Sequence, residues 1–176
     1  MAALWDLPVI YFCENNNFAM GTSVERSTKD IRLFNRMHSV PGLRVDGMSV
    51  FEVREALRFA KKHCIEKGPL FLEVDTYRYY GHSMSDPGST YRTRDDVSDV
   101  RKTRDPILLL KKTILDNKAA TEEELKTIEK EIRKEIDQAV EQARNDPIPD
   151  DKELFTDIMA AEGGFARAVE YEGSQF

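Results

Sequence analysis

Long apolar runs are absent from this chain. Val9 to Cys13 is only five residues and Ile107 to Leu110 only four, far short of the ~20 that a spanning helix needs, so no membrane crossing is expected. Cysteine is scarce as well. Cys13 and Cys64 are the only two, each inside an apolar segment, which excludes a disulfide framework or a zinc-ligand cluster and fits a reducing interior compartment. Basic charge is not in excess. Lys and Arg total 26 against 32 Asp and Glu, giving a net charge of -6 and a pI near 5.2. Affinity carried by neutralising a phosphate backbone is therefore not expected, and nucleic acid is not an expected partner. Met1 to Trp5 show neither a basic flank before a long apolar stretch nor an Arg- and Ser-rich amphipathic leader. What is present is 176 residues, 33% charged and 40% hydrophobic. That is enough for one compact domain, with or without a short appendage, burying roughly 70% of its unfolded surface.

Charge and pattern both divide the chain. Residues 1–94 hold 13 basic and 11 acidic side chains, leaving 13 and 21 for residues 95–176. Short apolar runs punctuated by Gly and Pro give way there to long segments of helical period. The expected boundary lies near Arg104, separating an α/β region (1–104) from a helical carboxyl-terminal region and tail (105–176). In the first region Val9–Cys13, introduced by Pro8, reads as a strand buried on both faces. Pro41–Gly47 reads as a second strand between turns. Ser49 and Glu52 form a capping-box signature ahead of a helix whose apolar stripe is Val53, Leu57, Ala60 and Cys64. Gly68-Pro69 stops that helix, and Leu70–Val74 reads as a third strand. A βαβ order of this kind implies a parallel sheet with a right-handed crossover. The second region starts its helices at Asp105-Pro106, with Pro at the first helical position. Thr121-Glu122-Glu123-Glu124 then caps a long amphipathic helix carrying Leu125, Ile128, Ile132, Ile136, Val140 and Ala143, ending before Pro147. Its plainest role is packing on the α/β body or on a partner.

Open parallel sheets bind ligands at the carboxyl ends of their strands, which directs attention to Glu14–Ser23 and Arg78–Arg94. Asn15, Asn16 and Asn17 offer neutral amide oxygens that can ligate a hard cation such as Mg²⁺, and equally the side-chain to backbone bonds of an ordinary turn. His82, on a small, polar, turn-rich loop, can donate to a phosphate or shuttle a proton near neutral pH. It can equally be a solvated loop residue. Serines and threonines beside arginines in the same loop are possible phosphate acceptors, each phosphate adding about -1.5 to -2 charges.

These residues carry a resemblance. Cys13-Glu14-Asn15-Asn16, Met20-Gly21-Thr22-Ser23-Val24-Glu25-Arg26, Pro41-Gly42-Leu43-Arg44-Val45-Asp46-Gly47-Met48 and Gly81-His82-Ser83-Met84-Ser85-Asp86-Pro87-Gly88 follow one another as in the α subunits of thiamine-diphosphate-dependent 2-oxoacid dehydrogenases. Tyr91-Arg92-Thr93-Arg94, Asp105-Pro106-Ile107 and the long helix continue the likeness over nearly the whole chain. Ser-Met-Ser-Asp-Pro-Gly resembles the mitochondrial pyruvate type more than the branched-chain type.

The resemblance implies a partial thiamine-diphosphate-binding parallel-sheet fold followed by helices. It further implies oxidative decarboxylation of pyruvate with acetyl transfer to lipoamide, leading to acetyl-CoA. Asn16 would ligate Mg²⁺ and approach the diphosphate, with Phe18 giving a backbone carbonyl in place of the family's usual Tyr. His82 matches the active-site loop histidine, near the diphosphate and substrate. Ser83 matches the main inhibitory phosphorylation site and Ser23 another, while Thr90 stands where a third site is usually Ser. Implied partners are a β subunit in a heterotetramer, the lipoyl domain of the acetyltransferase core, and a regulatory kinase and phosphatase. The implied location is the mitochondrial matrix. At an effective dielectric near 20 and 5 Å, each unit charge of a phosphate on Ser83 would repel a unit charge of the diphosphate by roughly 3 kcal/mol.

One departure stands out. The family's Gly-Asp-Gly segment, which starts the cofactor motif upstream of the Asn pair and brings the metal-binding carboxylate, is missing. Two expectations follow: a segment of a longer catalytic subunit, inactive alone, or a truncated non-catalytic form that binds complex subunits or the kinase.

Overall fold

The computed structural model describes residues 1–156; the expected tail beyond them lies outside the described residues. Two compact units divide at Thr121 and Glu122.

The first unit is organised by a parallel sheet of β1 (Ile10–Asn15), β5 (Leu70–Asp75) and β4 (Gly42–Asp46), in the spatial order β1-β5-β4. Between β1 and β4 lie a small hairpin of β2 (Phe18–Ala19) and β3 (Thr22–Ser23), a single turn α1 (Val24–Ser27) and a 3-10 turn at Leu33–Asn35. Helix α2 (Val50–Lys67) joins β4 to β5, so the expected βαβ unit and its parallel pairing are present.

Register explains how one sheet serves both core and site. Tyr11, Phe71 and Gly42 align across it, as do Cys13, Glu73 and Arg44, and Asn15, Asp75 and Asp46. Strand side chains alternate between faces, so these rows share one face, which becomes polar towards the carboxyl ends. The opposite face presents Ile10, Leu70, Leu72 and Val74. Leu70 and Ile10 pack with Ala60 and Cys64 of α2.

The central strand is buried on both faces, but β1 is not. Phe12 remains 45% exposed, because an edge strand is covered on one side only. Ser49 caps α2 as expected, its hydroxyl accepting the Glu52 N–H at 3.4 Å. The Glu52 carboxylate, however, reaches the Asp46 N–H, also at 3.4 Å, not the Ser49 N–H. Gly68 ends the helix at φ 95°, a left-handed value that favours glycine.

Helices in the carboxyl-terminal part start earlier than expected. Helix α3 (Arg94–Thr103) precedes Asp105, closed by a reciprocal capping box in which Thr93 and Asp96 bond each other's backbone N–H. Helix α4 (Pro106–Asp116) follows, with the Asp105 carboxylate accepting the N–H groups of Ile107 and Leu108. The second unit is built on α5 (Glu122–Asn145), which ends before Pro147 as anticipated. Its apolar stripe is open: Ile128, Ile132, Ile136 and Val140 are all exposed. No described helix is long and apolar enough to cross a membrane.

Candidate functional site

Two clusters form around the carboxyl ends of the strands. The first is the Asn turn. Asn15, the last residue of β1, is buried; its Nδ2 donates to Glu73 Oε1 at 2.7 Å, and its Oδ1 accepts the Asn17 N–H at 2.9 Å. Asn17 adopts φ 65° and donates through Nδ2 to Asp75 Oδ1 at 2.9 Å. Asn16, between them, accepts the Phe18 N–H on Oδ1 at 3.1 Å. The turn expected of an Asn run is thus present.

Beneath it lies a charge network. Glu73 is fully buried, and its Oε2 accepts the Phe34 N–H at 2.8 Å. Arg44 spans Glu73 (3.8 Å) and Asp75 (3.3 Å), while Arg104 reaches Asp46 (3.0 Å) and Asp75 (4.0 Å). Burial, then the Glu73 carboxylate, pushes the Cys13 thiol up from its ordinary value, which disfavours the thiolate form.

The second cluster is the loop after β5. Asp86 organises it, accepting the His82 N–H (2.8 Å) and the Tyr91 hydroxyl (2.6 Å) on Oδ2 and the Gly88 N–H (2.9 Å) on Oδ1. These donors hold its carboxyl down at about 2, the His82 N–H first, then the Tyr91 hydroxyl and the Gly88 N–H. Arg78 donates to the Tyr91 hydroxyl (2.9 Å) and to the Met20 carbonyl (2.6 Å), tying the loop to the hairpin. Arg92 donates to the carbonyls of Arg78 and Tyr80 and lies over the rings of Phe18, Tyr77 and Tyr91 at 5.9, 5.3 and 5.2 Å. Phe18 and Tyr91 stack 5.2 Å apart. Gly21 lets the Tyr91 ring approach, since a Cβ there would meet it at 2.9 Å.

The structure therefore joins Phe18 to the loop that carries His82, Ser83 and Thr90. His82, Ser83 and Thr90 are all exposed, and Ser83 Oγ lies 3.0 Å from Ser85 Oγ. Ser23 is half-buried in the hairpin. The Glu25 carboxyl beside it is held below its ordinary value by a backbone N–H and then by the Ser23 hydroxyl.

Asn16 Oδ1 and the Phe18 carbonyl suit a hard cation chemically, and an amide oxygen with one accepted bond keeps a second lone pair. Among the described residues no three His, Cys, Asp or Glu side chains converge as a metal-binding group.

Sequence reasoning passed over Glu73, Asp75, Arg44, Arg78, Asp86 and Tyr91 as organising residues. Two local signs were available: a carboxylate inside the apolar run Leu70–Val74, and Asp86-Pro87-Gly88, an Asp whose side chain can bond the backbone two residues on.

The chain is 57% identical over 164 residues to "pyruvate dehydrogenase E1 component subunit alpha-2, mitochondrial" of Arabidopsis thaliana, covering 93% of this chain and 42% of that protein. It is 53% identical over 175 residues to the mitochondrial E1 component subunit alpha of Dictyostelium discoideum, covering 99% and 46%. To the human testis-specific form it is 50% identical over 166 residues, covering 94% and 43%. The chain thus spans less than half the length of these curated relatives. Residues 1–152 match the family described as the dehydrogenase E1 component, and with that match covering most of its length, the chain belongs to the dehydrogenase E1 component family.

Proposed function

We propose that this chain is a segment of the α subunit of a mitochondrial pyruvate dehydrogenase (acetyl-transferring), using thiamine diphosphate and Mg²⁺. The carrying observation is identity of 57% over 164 residues to a plant subunit so named, together with the packing of the loop after β5 on the Phe18 hairpin. In this reading residues 1–104 are the partial cofactor-binding domain and residues from 105 onward the helical region. The working assembly adds a β subunit in a heterotetramer and the lipoyl domain of the acetyltransferase core, in the mitochondrial matrix. A regulatory kinase and phosphatase act on it.

Thiamine diphosphate, when bound, supplies the carbanion chemistry of decarboxylation. This chain's residues bind and orient. Asn16 Oδ1 and the Phe18 carbonyl would hold Mg²⁺ from one side, with an anionic ligand required from outside the described residues. His82 offers an imidazole able to donate to an anionic oxygen or to hold a proton near neutral pH, on a loop whose backbone Asp86 fastens at His82 itself. Phosphate on Ser83 would displace Ser85 from its 3.0 Å contact and place a dianion beside the Asp86 clamp, which gives inhibition a structural route. Ser23 and Thr90 are the other proposed phosphorylation sites. A phosphate on Ser23 would stand against Glu25.

The test uses the full-length subunit containing this segment, assembled with its β subunit. Pyruvate-dependent reductive acetylation of a lipoyl domain, requiring thiamine diphosphate and Mg²⁺, is the expected result, and Ser83→Ala should resist inactivation by the kinase. Turnover of branched-chain 2-oxoacids without turnover of pyruvate would overturn the assignment.

A further inference from the structure

The buried carboxylate of Glu73 has no place in the roles above, yet the Asn turn is built on it. We infer that Glu73 is a positioning residue for the metal side of the site, acting through Asn15; this rests on the reading of Asn16 and Phe18 as Mg²⁺ ligands. Glu73 is fully buried at the middle row of the sheet and faces two donors, Asn15 Nδ2 at 2.7 Å and the Phe34 N–H at 2.8 Å. Only an acceptor on both oxygens satisfies both. With the Phe34 N–H on one oxygen and the Asn15 amide nitrogen on the other, the Glu73 carboxyl accepts on both sides, which turns the Asn15 amide oxygen towards the Asn17 N–H, 2.9 Å away. That bond, with Asn17 Nδ2 on Asp75, sets the course of the backbone through Asn16 and hence where the Asn16 oxygen and the Phe18 carbonyl stand.

The hydrogen-bond arithmetic gives a discriminating pair of variants. Glu73→Gln replaces one acceptor by a donor. If its oxygen serves Phe34, its nitrogen meets Asn15 Nδ2, donor against donor. If Asn15 flips to accept, its own nitrogen then opposes the Asn17 N–H. One contact fails either way. Asn15→Asp alone sets two carboxylates face to face. Combined, the substitutions restore the pattern: the new glutamine amide donates to the new carboxylate and accepts the Phe34 N–H, while the other oxygen of that carboxylate accepts the Asn17 N–H.

The experiment uses the full-length subunit assembled with its β subunit, and reads Mn²⁺ binding in the presence of thiamine diphosphate by electron paramagnetic resonance, without turnover. Groups that orient metal ligands commonly contribute 10–100-fold to metal affinity. The expected result is at least a roughly tenfold loss for Glu73→Gln, with E73Q/N15D returning to within about threefold of the wild type. Melting curves on the same samples separate loss of fold from loss of site. Wild-type affinity in Glu73→Gln overturns the inference, and so does a double variant that melts like the wild type but stays as weak as the single one. If Glu73→Gln does not assemble, the double variant decides alone: wild-type binding supports the relay and weak binding overturns it. Failure of the wild-type assembly itself to bind Mn²⁺ with thiamine diphosphate would overturn the underlying site reading instead.

Discussion

Tyr91→Phe removes one hydroxyl and leaves the ring on Phe18, so it isolates the polar clamp of the loop. That hydroxyl donates to Asp86 Oδ2 at 2.6 Å and accepts from Arg78 at 2.9 Å. Without it Asp86 keeps the His82 and Gly88 N–H groups, at 2.8 and 2.9 Å, and Arg78 at 3.9 Å. Bonds to an ionised acceptor are stronger than neutral ones, but in a half-exposed loop water replaces part of the loss, so the opening equilibrium should rise about fivefold. Asp86→Asn removes the charge and turns an N–H₂ against donors, and should exceed that, at roughly thirtyfold. The pH dependence has a definite sign. With its folded value near 2, below the ordinary carboxylate value, Asp86 contributes fully above about pH 4 and progressively less as pH falls towards 2. Hydrogen exchange at the amides of His82 and Gly88 reads the clamp directly, with α2 amides as the internal reference. Unchanged protection at both amides in both variants would refute the reasoning, and an equal loss in α2 would show global rather than loop opening.

Three further outcomes test the scaffold by urea denaturation of the assembled protein. Gly42→Ala places a Cβ 1.7 Å from the Phe34 carbonyl oxygen, so the turn over Glu73 must move; a loss of about 3 kcal/mol is expected. Leu72→Ala empties a fully buried position of the central strand and should cost about 3 kcal/mol. Asp105→Ala removes the cap of α4 and the acceptor for the Tyr79 hydroxyl, 3.1 Å away, and should cost about 1 kcal/mol. The Asp105 carboxyl is held below its ordinary value, by the Leu108 N–H first. Its contribution is therefore present above about pH 4 and lost on acidification below that, a loss the variant should not show.

Features whose physics is local were legible in the sequence. The caps at Ser49 and Asp105, the stop at Gly68-Pro69 and the turn through the Asn run all depend on groups within about four residues of one another. Helix α3 escaped because Val97 and Val100 are its only clear apolar pair and its cap uses Asp96 where Glu is the commoner signal. Phe12 was misjudged because an apolar run does not say whether its strand is central or at an edge. The register decided that, giving β5 neighbours on both sides and β1 a neighbour on one.

The site divides along the same line. Asn16 and His82 could be singled out because their side chains stand in polar segments after strands, where chemistry is expected. What aims them could not, since Asn15 and Glu73 meet across 58 residues of chain and Phe34 and Glu73 across 39. Only the register of β1 against β5 brings the first pair together, and only the 3-10 turn over the polar face brings the second. The strand that carries the sheet's most buried side chains therefore also carries the acceptor that shapes the Asn turn. A charged residue inside a short apolar strand run is the sequence-level trace of that arrangement. It costs too much to bury unless partners are waiting, so such a residue predicts a second polar segment on the neighbouring strand even before the pairing is known.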